Sequence, residues 1–410
     1  MTARQSGDTL AVSKRLVTYS IPTYPSEVQV RRTLFGPEHE ALRASAREFL
    51  QRTVVPRLDE FVANRGLPRN FWLEAGKQGL LGLHVPDEWG GGGSEDYLYG
   101  VVVAEEFARV SASIASCYGI HSGVCPPYLV DLTTDAQKER WMPRLCTGEL
   151  VTAIAMTEPG GGSDLAALRT TAVRDGDEWV LNGSKTFITN GYSADLVIVA
   201  ARTDPSKRAK GITLFGVEAG MPGFTRGRKL DKVGQTESDT AELFFSDVRV
   251  PDALRIGEEG RGFIAMMERL VQERVGAAVS NTAHASQILD ETIDYVKSRK
   301  AFGQPVGSFQ HNKFKVAELK TQIDVTQAFV DQCIAAHAAG ELSAADAAKA
   351  KWWSAEVQNE VIDECVQLHG GYGYMNEYRV ARAWRDARVT KIWAGSNEIM
   401  KEIIGRDLGL

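Results

Sequence analysis

The hydrophobic pattern of the chain changes character twice. Between residues 33 and 150 apolar positions recur at helical spacing. Pro37-Glu38-His39-Glu40 is a helix-start signal, and Leu42, Ala46, Phe49 and Leu50 follow it on one face. A second helix is predicted over 96–108, and 101–110 and 112–118 have the small, apolar make-up of helices packed in a core. Near Val151 the pattern shortens. Segments 151–157, 179–181, 195–201, 211–217 and 241–245 are rich in β-formers and are separated by Gly, Asn, Asp and Pro, which predicts a small β-barrel or sandwich. From about Gly260 long helical runs return, at 261–298, 312–340, 344–369 and 376–390. The order helices, strands, helices differs from the strict alternation of a doubly wound sheet. The expected fold is therefore mainly α with a central β domain. Its units are a flexible arm (1–32), an N-terminal helical domain (33–150), a middle β domain (151–255) and a C-terminal helical bundle (256–410). The arm lacks periodic hydrophobicity and a signal-peptide core, and is expected to stay flexible or to order on a neighbouring subunit. The glycine run 90–93 lacks the Lys-Ser/Thr ending of a phosphate loop and is read as a flexible connection.

Composition narrows the function. The 410 residues are 43% hydrophobic and 24% charged, the balance of a globular protein with more than one lobe. A net charge of −6 gives no reason to bind nucleic acid or an anionic membrane. The five cysteines form no CxxC pair, which points to reduced thiols and a cytoplasmic setting. The seven histidines show no metal spacing, so no metal is expected, and Cys365 and His369 read as packing residues. No apolar run approaches the ~20 residues of a membrane-spanning helix.

Two stretches carry candidate chemistry. Residues 157–164 read Thr-Glu-Pro-Gly-Gly-Gly-Ser-Asp, a proline-fixed turn into glycines that allow a flat ligand or its phosphates to come close. Residues 182–191 read Asn-Gly-Ser-Lys-Thr-Phe-Ile-Thr-Asn-Gly, a turn feeding a short β-rich run. Either alone is an ordinary turn. Together, in this order and spacing, they resemble the flavin-binding segments of the acyl-CoA dehydrogenase family, closest to its long-chain members. The resemblance runs from about Phe35 to the C-terminus. It implies an N-terminal helical domain, a middle β domain and a C-terminal four-helix bundle, with FAD between the last two. It also implies oxidation of an acyl-CoA thioester to its trans-2-enoyl product, with proton loss at the α-carbon and hydride transfer from the β-carbon to flavin N5.

Medium- and short-chain members carry their base near the C-terminus, where this chain has Ala394 in Lys-Ile-Trp-Ala-Gly-Ser-Asn-Glu (391–398). Long-chain and isovaleryl members place it on an earlier helix, in a Glu-Arg pair that matches Glu273-Arg274. Glu268 is the nearby competitor. Five residues on a helix is about 140° of rotation, so the two carboxylates cannot face one site. The resemblance implies further roles. Ala394 would offer its backbone N–H to the thioester oxygen, and Gly395 and Arg274 would lie beside the substrate. Met156, Thr157 and Ser163 would line the flavin, Ser163 also the substrate, and Phe187, Ile188 and Thr189 would meet the ring. Arg299, Phe302, Gln310, Gln367, Gly370 and Gly371 would hold the dinucleotide across a subunit boundary, with Ser396, Asn397 and Glu398 completing it. The expected partners are an acyl-CoA, an electron-transferring flavoprotein as acceptor and further copies of the chain, as a dimer or a dimer of dimers. A carrier-protein thioester as substrate, a flavin monooxygenase of the same fold and a non-catalytic flavin-binding protein remain as alternatives.

Overall fold

A computed structural model describes residues 32–410; most of the expected N-terminal arm lies outside the described residues. Seven helices come first: α1 (Pro37–Phe49), α2 (Leu58–Asn64), α3 (Arg69–Lys77), α4 (Tyr97–Val110), α5 (Ala112–Gly119), α6 (Cys125–Leu132) and α7 (Asp135–Thr147). Phe49, Phe61, Phe71, Trp72 and Phe107 form the heart of this layer. Arg43 and Arg47 of α1 tie it to α4 by ion pairs with Glu105 (2.6 Å) and Glu106 (2.9 Å). Both acids are buried and each keeps more than one arginine, Glu105 also pairing with Arg32 (2.8 Å) and Glu106 with Arg43 (3.4 Å), so the layer is tied by a network rather than by isolated pairs. A π-helical turn over 120–124 joins α5 to α6.

The glycine run before α4 is not a loose connection. Gly91, Gly92 and Gly93 donate backbone hydrogen bonds to Pro86, Gly82 and Val85. A Cβ on Gly91 would stand 2.1 Å from the Val85 carbonyl. These glycines permit close packing of a tight, bonded turn, a role that composition alone does not separate from flexibility.

The strands β1 (Thr152–Ala155), β2 (Thr171–Asp175), β3 (Glu178–Thr189), β4 (Leu196–Arg202), β5 (Ile212–Glu218), β6 (Phe224–Lys229), β7 (Thr240–Pro251) and β8 (Arg255–Ile256) form one sheet. Its order is β6-β7-β3-β2-β4-β5-β8, with β1 parallel to β4. Trp179 of β3 reaches Phe215 of β5, their ring centroids 5.5 Å apart although the strands are not neighbours. The sheet therefore curls around its own core. Asn182-Gly183 is a bulge within β3 rather than the predicted turn: the pairing with β7 shifts register there and the strand continues to Thr189. A second shift, between Lys185 and Ile188, accompanies Phe187, whose φ is +59°.

After the sheet, α8 (Gly262–Ser298) runs to a short hairpin of β9 (Lys300–Ala301) and β10 (Gln304–Pro305). Then come α9 (Gln310–Ala338), α10 (Ala344–His369), α11 (Arg379–Ala387) and α12 (Asn397–Asp407). α8 packs on α9 and α10 and also on α4, through Val101 against Val275, Ala278 and Val279. It is the axis on which the N-terminal layer and the C-terminal bundle meet. No helix among the described residues is long and apolar enough to cross a membrane.

Candidate active site

A cavity of about 310 Å³ lies where α4, α5 and the π-turn meet α8, and it is closed by the end of β3 and by the segment before α12. Its wall is mostly apolar and rich in small residues, and Glu273 is the only carboxylate among its lining residues. The Tyr128 hydroxyl of α6 donates to Glu273 Oε1 at 3.3 Å. Burial pushes the Glu273 carboxyl up to about 7; the Tyr128 hydrogen bond and the charges of Arg274 and Arg269 pull the other way. Such a carboxylate is a stronger base than a solvated one and is half ionised near neutrality. Glu268 points to solvent beside Arg269, 3.8 Å away. The helical geometry thus brings Glu273, not Glu268, to the cavity.

Ala394 lines the same cavity with a left-handed backbone, φ +52°. That conformation is costly for a residue with a Cβ and persists only where its surroundings enforce it. The residues that follow are tied down by Lys351 of α10, fully buried, whose Nζ donates to the Gly395 carbonyl (2.7 Å) and to Asn397 Oδ1 (3.1 Å). Burial lowers its pKa to about 8. Asn397 Nδ2 in turn donates to Glu356 Oε1 at 2.9 Å. The Ala394 N–H has no hydrogen-bond partner among the described residues. Gly395, at φ +88°, leaves the space that Met400 Cε fills: a Cβ there would be 2.5 Å from it.

Phe187 and Thr189 line the cavity from the sheet side. Phe187 is 69% exposed and left-handed. An exposed aromatic held in a strained backbone beside a cavity fits a flat ring partner, and the expected flavin passes this test. Ile188 alternates to the opposite face and buries its side chain in the sheet core, so only its main chain remains for a ring. Met156, Thr157 and Ser163 line no described cavity. Met156 packs partly buried against the apolar cluster below the sheet, the Thr157 carbonyl accepts the Thr186 N–H (2.9 Å), and Ser163 is exposed. This segment is nevertheless fixed next to Phe187. Buried Lys185 donates to Glu158 Oε1 (2.8 Å) and to the Met156 carbonyl (3.1 Å).

The fold gives the side chains of several other expected residues further roles. The Arg274 side chain is buried and does not line the cavity. Asn397 is consumed by Lys351 and Glu356 and acts as a buttress. Ser396 caps α12 through Ile399 N–H (3.4 Å), and Glu398 is exposed in the first turn of that helix.

A second cavity, of about 700 Å³, gathers Arg299, Gln367, Gly370 and Gly371 with Tyr295 and Tyr372. The Arg299 guanidinium lies over the Tyr372 ring, 5.3 Å from its centroid. Gly370 is left-handed, and a Cβ on Gly370 or Gly371 would meet nothing within 4 Å, so both open onto free space. Phe302, 96% exposed, and exposed Gln310 stand outside its wall. The two cavities share no lining residue. Tyr128 and Lys351 escape sequence reasoning because a lone Tyr and a lone Lys on helices carry no motif; only the buried partners reveal them.

Three family models match the chain in order: acyl-CoA dehydrogenase N-terminal domain at residues 36–149, middle domain at 153–248 and C-terminal domain at 260–409. The mitochondrial long-chain specific acyl-CoA dehydrogenase of Mus musculus is 48% identical over 93% of this chain and 89% of its own length. The mitochondrial isovaleryl-CoA dehydrogenase of Pongo abelii is 38% identical over 90% and 88%. The crystal structure of an acyl-CoA dehydrogenase from Geobacillus kaustophilus superposes with a TM-score of 0.91 at 46% identity, covering 93% of this chain and all of that one. The chain belongs to the acyl-CoA dehydrogenase family and is an FAD-dependent acyl-CoA dehydrogenase.

Proposed function

We propose that the protein dehydrogenates the α,β bond of a long- or branched-chain acyl-CoA, with Glu273 as the base. The observation that carries this is one cavity lined by both a buried carboxyl raised to about 7 and an unpartnered backbone N–H, at Ala394. Glu273 takes the α-proton. The Ala394 N–H, held in place by Lys351, donates to the thioester oxygen and stabilises the charge that develops there. Bound FAD supplies the hydride acceptor for the β-carbon. Apolar walls exclude water from the carboxylate. Gly119, Gly123 and Gly276 line the cavity with open space where side chains would be, which supports a long or branched acyl group.

Arg299 would pair with the pyrophosphate, and Gln367, Gly370 and Gly371 would meet the adenosine half, of an FAD shared with a partner chain. The separateness of the two cavities supports this reading, in which the functional unit would be at least a dimer. An electron-transferring flavoprotein takes up the electrons. The five cysteines are unpaired and buried, which suits a reducing compartment such as the cytoplasm. The test is an anaerobic titration of the holoenzyme with saturated acyl-CoAs graded from branched C5 to long straight chains. Bleaching of the flavin band by long or branched chains is expected; a band that no acyl-CoA bleaches overturns the reading.

A further inference from the structure

The apolar cavity is not apolar throughout. At the wall built by the loop after α3 and the first turns of α4 it is lined by His84 and Tyr97. His84 Nδ1 lies 3.0 Å from the Ser94 carbonyl. A carbonyl only accepts, so Nδ1 carries the proton, and in the neutral ring Nε2 is a bare acceptor. Nε2 hangs over Gly100, where a Cβ would stand 2.8 Å from it. Neither Nε2 nor the Tyr97 hydroxyl has a hydrogen-bond partner among the described residues. The Tyr97 ring is held between His84, stacked at 6.4 Å, and His337, edge-on at 4.4 Å. These rings hold the pair in place. A methyl-ended chain laid against them would leave an acceptor and a donor unpaired, which disfavours it.

We infer that this end of the cavity recognises a hydroxyl carried on the distal part of the acyl chain. The hydroxyl would donate to His84 Nε2 and accept from the Tyr97 O–H, so that all three groups are satisfied at once. A distal carboxylate fits less well. It would face the Nε2 lone pair, and neither Lys nor Arg is among the described residues lining the cavity. The inference rests on the proposed acyl-CoA oxidation and names its substrate class: acyl-CoAs oxygenated as alcohols far from the thioester.

The experiment uses the holoenzyme with an artificial electron acceptor. Its substrates are CoA thioesters in length-matched trios ending in methyl, hydroxyl or carboxylate. At the chain length that reaches His84, kcat/KM for the hydroxyl end is expected to exceed that for the methyl end by roughly tenfold or more, since a site built for a hydroxyl rejects the analogue lacking it. Tyr97→Phe and His84→Leu should each compress that ratio toward one. A wild-type ratio of one or below at every length, or a preference that survives both substitutions, overturns the inference. Preference for the carboxylate overturns it in favour of anion recognition. Should no member of any trio bleach the flavin, acyl-CoA oxidation itself fails and the inference falls with it.

Discussion

At the scale of single residues the chemistry depends on how one carboxyl is housed. Glu273 has burial working against its charge and Tyr128, Arg269 and Arg274 working for it. Glu273→Gln keeps the shape and removes the base. The expected outcome is FAD retained and turnover reduced by roughly 10²–10⁴-fold, while Glu268→Gln, on the solvent side, stays near wild type; near-normal turnover of the Glu273 variant would remove it from the role. The pH profile follows with a definite sign. The base acts ionised, so kcat/KM should fall as pH drops through about 7, the value to which burial lifts Glu273. The Tyr128 hydrogen bond lowers that value, because it stabilises the anion. Tyr128→Phe therefore moves the acidic limb to higher pH, and kcat/KM measured between pH 5.5 and 9 reads the shift directly. An unmoved or down-shifted limb would mean that Tyr128 does not stabilise the carboxylate.

At the scale of elements the site depends on helix-to-loop ties that join distant parts of the chain. Lys351 sits in the third turn of α10 and grips the Gly395 carbonyl, 44 residues on. Lys351→Met leaves that carbonyl and Asn397 Oδ1 without their charged donor, a loss of about 1.5–3 kcal/mol for a charged hydrogen bond. If the tie chiefly aims the Ala394 N–H, kcat should fall by roughly 10- to 100-fold with KM little changed. Steady-state kinetics on the FAD-loaded variant separate this from general loosening, which would raise KM and shed cofactor as well. The same ties explain what was legible in the sequence. The change of hydrophobic period at Val151 and again near Gly260 is local information, and so are the Glu273-Arg274 pair and the Gln367–Gly371 turn. Strands β2 and β6 carry little local signal because Thr-Ala-Val-Arg-Asp and Phe-Thr-Arg-Gly-Arg-Lys are both mostly polar; pairing with neighbours makes them strands. Asn182-Gly183 carries a turn signal, yet pairing with β7 absorbs it as a bulge. Adjacency in a motif does not fix direction: strand alternation turns the Ile188 side chain into the sheet core, and the Arg274 side chain does not line the cavity that Glu273 enters.

At the scale of the molecule, the ring-side cavity and the arginine-lined cavity stand apart on one chain. If each FAD bridges two chains, a catalytic centre takes Glu273 from one protomer and Arg299 from its partner. Two variants that fail separately should then rescue each other. Glu273→Gln retains an intact arginine-lined cavity and has no base. Arg299→Ala retains the base and loses the cation that faces the dinucleotide's phosphates, so its FAD should be weakly held. In a mixed dimer, the centre that combines Glu273 of the second chain with Arg299 of the first is whole. Random pairing at equal expression makes half of the dimers mixed, with one whole centre of two, so about a quarter of centres regain activity. Co-expression with two affinity tags, sequential purification and assay without added FAD would measure this. Each variant purified alone should give only background. Activity that appears only in the doubly tagged fraction requires a cofactor site shared across the subunit boundary. Doubly tagged dimers no more active than the parents would place the whole dinucleotide on one chain, and would leave the 700 Å³ cavity needing another ligand.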